Sequence, residues 1–379
     1  MTILLWIIAG LIAYTFLGYG LLVGILAKLF GRKPAGNGPV PLDATLLIAA
    51  HNEEKHIARK IQNALSVDRS PVALRIVIAC DGCADATAAI ARSFADSGVK
   101  VVESIGHVGK IGILNLAMGE IAGDVVIFSD ANSEIGKKSL VKLLAHFSDP
   151  EVGGVCGAIG VPARGRGWLG LGEAMHWKFD HALKYWESQV TSAVSAQGSL
   201  YAVRRNLISE IPPAVADDLY VSLGVVARGF RLAFEPDATV VEGVTGSAKA
   251  EFGRRVRSTE RGWRGLMMMS TLLNPFKFGF YSIQLFSHKV LRRLVPFLAV
   301  LFFLVSLAVA GAGPFYMALA AAQIAGLLAA GLAWLLQAHL PGWALIPVFI
   351  IAGNLAMALG VINVMIGKRS DRWTPARSG

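Results

Sequence analysis

The stretch Thr45-Leu46-Leu47-Ile48-Ala49-Ala50-His51-Asn52-Glu53 is an apolar run that stops abruptly on three polar residues. A short continuous run of this kind fits a strand buried on both faces. Ile57, Ile61, Ala64 and Leu65 follow at helical spacing, and a second apolar run, 74–80, closes on Asp81-Gly82. The texture repeats: helical over 84–97, strand over 100–103, helical over 110–119, and a fourth strand over 124–129 that ends on Asp130-Ala131-Asn132. Such alternation predicts an α/β fold with a mainly parallel sheet and helices on its faces. In open α/β sheets ligands bind beyond the carboxyl ends of the strands. The clusters at 51–53, 81–82 and 130–132 are therefore expected on one edge. Each alone also suits a turn or a helix cap, but three on one edge predict a site.

Outside this region the chain is much more apolar. Of 379 residues 54% are hydrophobic, too many for a wholly soluble protein, and 36 Lys and Arg against 26 Asp and Glu give a basic balance. With long apolar segments present, that balance points to a membrane surface and anionic substrates, not to nucleic acid. Residues 1–31 read as an uncleaved transmembrane anchor, because no positive charge precedes the apolar run. Lys28, Arg32 and Lys33 place the next segment, 42–265, in the cytoplasm. Residues 266–293 mix apolar residues with Gln284, His288, Lys289, Arg292 and Arg293, as interfacial amphipathic helices do. Residues 294–367 hold three candidate spans, at 294–311, 315–337 and 343–366, before a basic tail, 368–379. Three crossings would leave that tail outside while its charge predicts inside, so either one segment does not cross or the tail breaks the rule. Three cysteines leave no disulfide framework. Cys80 and Cys83 form a C-x-x-C, but Cys156 stands alone and zinc takes four ligands, so packing is the stronger reading.

Taken in order, Ala50-His51-Asn52-Glu53, Asp81-Gly82-Cys83-Ala84-Asp85-Ala86-Thr87, Gly109-Lys110 with Asn115, Ser129-Asp130-Ala131-Asn132, Gly198-Ser199-Leu200-Tyr201-Ala202, Asp217-Asp218 and the stretch from Arg257 to Trp263 form a recognisable series. The chain resembles the family 2 glycosyltransferases of the GT-A fold, in the membrane-bound bacterial branch related to exopolysaccharide, poly-N-acetylglucosamine and hyaluronan-type synthases. The resemblance covers about residues 45 to 375. It implies an inverting transferase that moves a sugar from a UDP-sugar to a lipid-linked or polysaccharide acceptor, multi-pass in an inner membrane, with a possible polysaccharide export partner. Asp81 would accept the uracil N–H, Asn52 and Glu53 would help to hold the nucleoside, and Lys110 would lie beside the diphosphate. Asp130 and Asn132 stand where the family carries Asp-x-Asp and would hold Mg2+ or Mn2+. Asn132 supplies an amide oxygen in place of a second carboxylate. Asp218, with Asp217 beside it, would be the base that takes the acceptor proton. Gly198, Ser199 and Trp263 would face the acceptor, and Arg257 and Arg261 the donor diphosphate. Processive members carry Gln-x-x-Arg-Trp, whereas here Ser258 precedes Arg261 by three and Gly262 separates it from Trp263, which weakens the case for a long-polymer synthase.

Two rival classes have sequence features of their own. Gly165-Arg166-Gly167-Trp168-Leu169-Gly170 matches G-x-G-x-x-G, the fingerprint of NAD-dependent oxidoreductases, but it follows several βα units when it belongs in the first. A transporter or scaffold would place polar residues within its spans, and Gln323, Asn354 and Asn363 are what these offer.

Overall fold

The structure, a computed structural model, describes residues 1–32, 43–70, 72–160, 168–242, 248–336 and 340–368. Among these, β1 (Asp43–Ala50), β2 (Ala73–Asp81), β3 (Val99–Ser104), β4 (Val125–Asp130), β5 (Ser133–Ile135), β6 (Val152–Gly160), β7 (Tyr201–Arg204) and β8 (Arg231–Glu242) form one sheet. Its order is β3-β2-β1-β4-β7-β6-β8-β5. β1 pairs in parallel with β2 and β4, and β2 with β3, while β7 runs antiparallel to both β4 and β6. The alternation of side chains divides the core. Leu46, Ile48, Ile76, Ile78 and Ile127 share a core with Ile57 and Ile61 of α2 (Ile57–Ser66) and with Leu140 and Leu143 of α5 (Ser139–Ala145). Leu47, Ala49, Val77, Val126 and Phe128 face Ile113, Leu114 and Ala117 of α4 (Gly109–Met118). Burial on both faces is why β1 reads as an unbroken apolar run.

The four strands expected from spacing are present, each within two residues of its expected ends. The remaining four carry weaker signals. β6 includes Gly153, Gly154 and Gly157, and β8 includes Pro236, residue types that strands usually avoid. The glycines are used for closeness: a Cβ on Gly153 would lie 2.6 Å from Leu207 and Phe230 side-chain atoms. The helix expected over 84–97 shortens to α3 (Thr87–Arg92) plus a single 3-10 turn at Ala95–Ser97. The Asp85 carboxylate accepts from the Thr87 amide at 3.0 Å and holds the preceding residues as a turn.

Four helices are long and apolar enough to cross a membrane: α1 (Thr2–Phe30), α9 (Phe280–Ala308), α10 (Pro314–Leu335) and α11 (Ile346–Met365). The expected boundary between interfacial and spanning segments, at 293, falls inside α9. The polar residues that suggest an interface, Gln284 and His288, are buried instead against α6 (Trp168–Val190). There the Glu187 carboxylate accepts from the Tyr19 hydroxyl of α1 at 2.6 Å and lies 2.8 Å from His288 Nδ1. The same contact brings α1 down onto α6, with Tyr19 and Val23 packed against Leu183 and Trp186. Near the other end of α1, Leu5 and Ile8 pack on Val305 of α9 and on Val309, the residue that follows it. Residues 33–41, most of the tail (369–379) and the start of the G-x-G-x-x-G match (165–167) lie outside the described residues.

Glu187→Ala leaves a buried phenol and a buried imidazole without their shared acceptor. It should cost on the order of 3 kcal/mol in unfolding free energy, read by denaturant titration of the detergent-solubilised chain.

Candidate active site

The carboxyl ends of β1, β2 and β4 deliver His51, Asp81 and Asp130 to one edge of the sheet. Because β7 runs the other way, its amino end delivers Gln197 to Leu200 to that same edge. Next to it stands the first turn of α7 (Asp217–Ala227), bearing Asp217 and Asp218. Ser222 ties the two together: its hydroxyl accepts from the Ala196 amide at 2.8 Å and donates to the Asp218 carbonyl.

Lys110, at the start of α4, reaches into this group. Its ammonium lies 3.0 Å from Asp130 Oδ1 and 3.2 Å from Asp217 Oδ2. Burial works against its charge, but Asp130 and then Asp217 outweigh burial and hold its pKa well above the usual lysine value. Gly198 marks the centre of the cluster. A Cβ there would lie 3.7 Å from Asp218 Oδ2, 3.8 Å from Asp130 Oδ2 and 3.8 Å from Lys110 Nζ. Asp218 is oriented, its Oδ1 accepting from the Leu219 amide at 2.7 Å, which leaves Oδ2 toward the space beside Gly198. Burial first, and then the neighbouring Asp217, raise the Asp218 pKa.

The nucleoside candidates lie at the other end of the edge. Asn52 adopts φ 54°, and its side-chain oxygen accepts from the Ala84 amide at 2.9 Å. The Glu53 carboxylate is 2.9 Å from His56 Nδ1, and the Glu53 amide donates to Thr87 Oγ1 at 2.8 Å. Asp81 is fully buried, and its Oδ1 accepts from the Val108 amide at 2.7 Å. Gly82 permits this: at φ 50° it lies under the 106–107 backbone, where a Cβ would come within 2.5 Å of Gly106 and His107 main-chain atoms. Asn132 is exposed, while the Ser199 carbonyl accepts from Ser129 Oγ at 2.7 Å. Arg257, Arg261 and Trp263 are carried by α8 (Ala248–Met268), which packs on α7 and α11. Trp263 packs against the core beside α7, and Gly262 lies between Leu219 of α7 and Arg293 of α9.

Two residues escape a reading by motif. Glu242, at the end of β8 opposite Ser133, has a pKa raised by burial and then by the field of Asp130. Its signal would have been a carboxylate at a strand end, but β8 itself was faint. Lys60 of α2 is fully buried and donates to Ser129 Oγ at 2.7 Å, the Ser133 carbonyl at 2.9 Å and Ser133 Oγ at 3.0 Å. It pins the turn that carries Asp130 and Asn132. A lysine on the apolar face of a helix was its only sequence mark.

The donor set fits a divalent cation. Asp130, Asn132 and Glu242 are all oxygen donors, and Asp130 stands near enough to Glu242 that its field adds to burial in raising the Glu242 pKa.

Burial pushes the Lys60 pKa down to about 7, with Asp130 and Glu134 pulling the other way. Free lysine keeps its proton to about pH 10.4, so above pH 7 the folded chain sheds a proton that the unfolded chain retains. Stability from this group is greatest at high pH and is lost as pH falls through about 7. Between about pH 7 and pH 9 the wild type should gain up to about 1.4 kcal/mol per pH unit relative to Lys60→Met, measured by denaturant unfolding of both across that range.

Comparison with known proteins agrees with this geometry. Residues 45–211 match the family described as Glycosyl transferase family 2. The chain is 23% identical over 263 residues to an N-acetylglucosaminyltransferase of Rhizobium meliloti (strain 1021), across 64% of this chain and 62% of that protein. It thus spans about 62% of the length of the curated relative it matches. Its structure is similar to that of a mannosyltransferase from Pyrobaculum calidifontis in complex with GDP-Man and Mn2+, with a TM-score of 0.71 and 22% identity, over 96% of this chain and 99% of the other. Over residues 45–211 the chain is thus similar to the family 2 glycosyltransferases, on a mixed sheet of the GT-A kind.

Proposed function

We propose that the protein is an inverting membrane glycosyltransferase that moves a sugar from a UDP-sugar to a lipid-linked or polysaccharide acceptor, in exopolysaccharide or glycolipid synthesis. The observation that carries this reading is the convergence of Lys110, Asp130, Asp217 and Asp218 on the space beside Gly198. The name of the Rhizobium relative makes UDP-N-acetylglucosamine the first donor to test.

In this reading the nucleoside lies along 51–53 and Asp81, and the diphosphate lies by Lys110 and Asp130. A divalent cation, Mg2+ or Mn2+, held by Asp130, Asn132 and Glu242, would offset the charge that develops on the leaving diphosphate. Lys110 adds a fixed positive charge on the same side. The acceptor hydroxyl enters beside Gly198 and Ser199, where a side chain at 198 would obstruct it. Asp218 Oδ2 takes the hydroxyl proton as the oxygen attacks the anomeric carbon from the face opposite the diphosphate. Burial and Asp217 make Asp218 a stronger base than an exposed carboxylate. Arg257 and Arg261 on α8 are the reserve of positive charge for the departing nucleotide, and Trp263 is the ring against which a sugar could stack. The four apolar helices keep the domain beside an acceptor held in the bilayer. The basic residues after α1 favour an inner membrane with the domain on the cytoplasmic side.

Asp218→Asn should lower kcat by roughly 10²–10⁴-fold while the Kd for UDP stays within about threefold, checked by UDP release and by calorimetry; full turnover in this variant would refute the role. Asp217→Asn removes a charge that raises the Asp218 pKa. The acidic limb of kcat/KM against pH should therefore move to lower pH in that variant.

A further inference from the structure

At the nucleoside end of the edge the side chains of His51, Asp81 and His107 offer ligand atoms that all lie within 4.8 Å of one another. The two imidazole rings face each other with centroids 4.1 Å apart. Asp81 Oδ2 is buried, stands 2.9 Å from His107 Nδ1, and yet makes no hydrogen bond. This ion pair lacks an aligned proton, and parting its nitrogen and oxygen by a few tenths of an ångström would let both ligate one cation. His51 has the orientation such a ligand needs. Its Nδ1 lies 2.5 Å from the Asp81 carbonyl oxygen, so the proton sits on Nδ1, and the Nε2 lone pair accepts from the Asn52 amide nitrogen at 3.3 Å, a contact that a bound cation would replace.

We propose that His51, Asp81 and His107 form a second cation site, suited to Zn2+, and that its occupancy excludes the nucleobase of the donor. Two imidazoles and one carboxylate suit a borderline metal, in contrast to the all-oxygen set at Asp130, Asn132 and Glu242, which suits Mg2+ or Mn2+. Three protein ligands leave a fourth position for water, and the His107 side chain, 33% exposed, opens it to solvent. The exclusion rests on the donor reading above, in which Asp81 receives the base. A carboxylate that ligates Zn2+ cannot also accept the nucleobase N–H with the same oxygen. The enzyme would thus be inhibited by Zn2+ at its nucleoside end while it depends on another divalent ion at its diphosphate end.

The test is Zn2+ binding to the full chain in detergent, followed by calorimetry in the presence of Mg2+. One Zn2+ per chain is expected, displaced by UDP and retained in Asp130→Asn. His107→Asn, on a partly exposed side chain, should weaken binding by roughly a hundredfold, and His107→Cys should restore much of it. Equal binding by wild type and His107→Asn would overturn the site. Binding that survives His107→Asn but disappears in Asp130→Asn would place the ion at the diphosphate end and also overturn it. If Zn2+ binds through these residues and UDP binds without displacing it, the exclusion is refuted. If Zn2+ binds through them and UDP does not bind at all, the site is upheld and the donor reading falls, so the two failures are distinguishable.

Discussion

The ammonium of Lys110 is the constraint on which the site depends. Asp130 ends one strand, Asp217 and Asp218 begin a helix nearly ninety residues later, and these carboxylates would repel one another in a partly dehydrated cleft. Lys110 joins the first two directly, at 3.0 Å and 3.2 Å. Asp218 has no such direct partnership with it: burial first and then Asp217 raise its pKa, and Lys110 offsets them only in part, while the lysine itself holds its proton more tightly. One cation both assembles the acids and leaves one of them basic.

The sheet makes this assembly possible by a single reversal. A wholly parallel sheet would have brought the chain before β7 to the opposite edge. Because β7 is inserted antiparallel between β4 and β6, the segment from Gln197 to Leu200 arrives beside Asp130. Gly198, without a side chain, leaves open the space between Asp218, Asp130 and Lys110. Lys60 fixes the other side of the same opening from beneath, through Ser129 and Ser133.

How much of this could be read from the sequence depends on how each feature is encoded. β1 to β4 were legible because burial on both faces writes an apolar run into consecutive residues, and their polar ends were legible because the rule of strand ends gives them a meaning. β6 and β8 were not, since their close packing requires glycines and a proline-bearing strand that mimic loop composition. The motifs at Asp130, Asp217, Asp218, Lys110 and Gly198 stand out in the sequence, and the fold brings these residues together. Asp81 and Glu53 stand out as well, yet their carboxylates already have protein neighbours, in the 106–108 loop and in His56. Lys60 and Glu242 were missed because their importance comes from partners distant in sequence. A related ambiguity attends Gln284 and His288: polarity signals water only when no buried partner exists, and Glu187 provides one through its carboxylate and main-chain carbonyl.

That buried partner also connects the membrane to the site. Tyr19 of α1 and His288 of α9 meet on Glu187 of α6, and two turns earlier on α6 Asp180 accepts from Gln197 at 3.3 Å, next to Gly198. Burial works against the Asp180 charge, but Lys184 at 3.0 Å and then His288 hold its carboxyl below the usual range. The network is thus charged, desolvated and satisfied mainly from within, the condition under which buried polar groups specify one arrangement over others. A shift of α1 or α9 in the bilayer would have to break these bonds or carry α6 with it. Moving α6 would displace Gln197 and with it the floor of the space beside Asp218. The position of Asp218 relative to the apolar helices is therefore set by the same polar contacts that dock those helices, which is a reason to place ionisable residues where an apolar interface would have sufficed for stability.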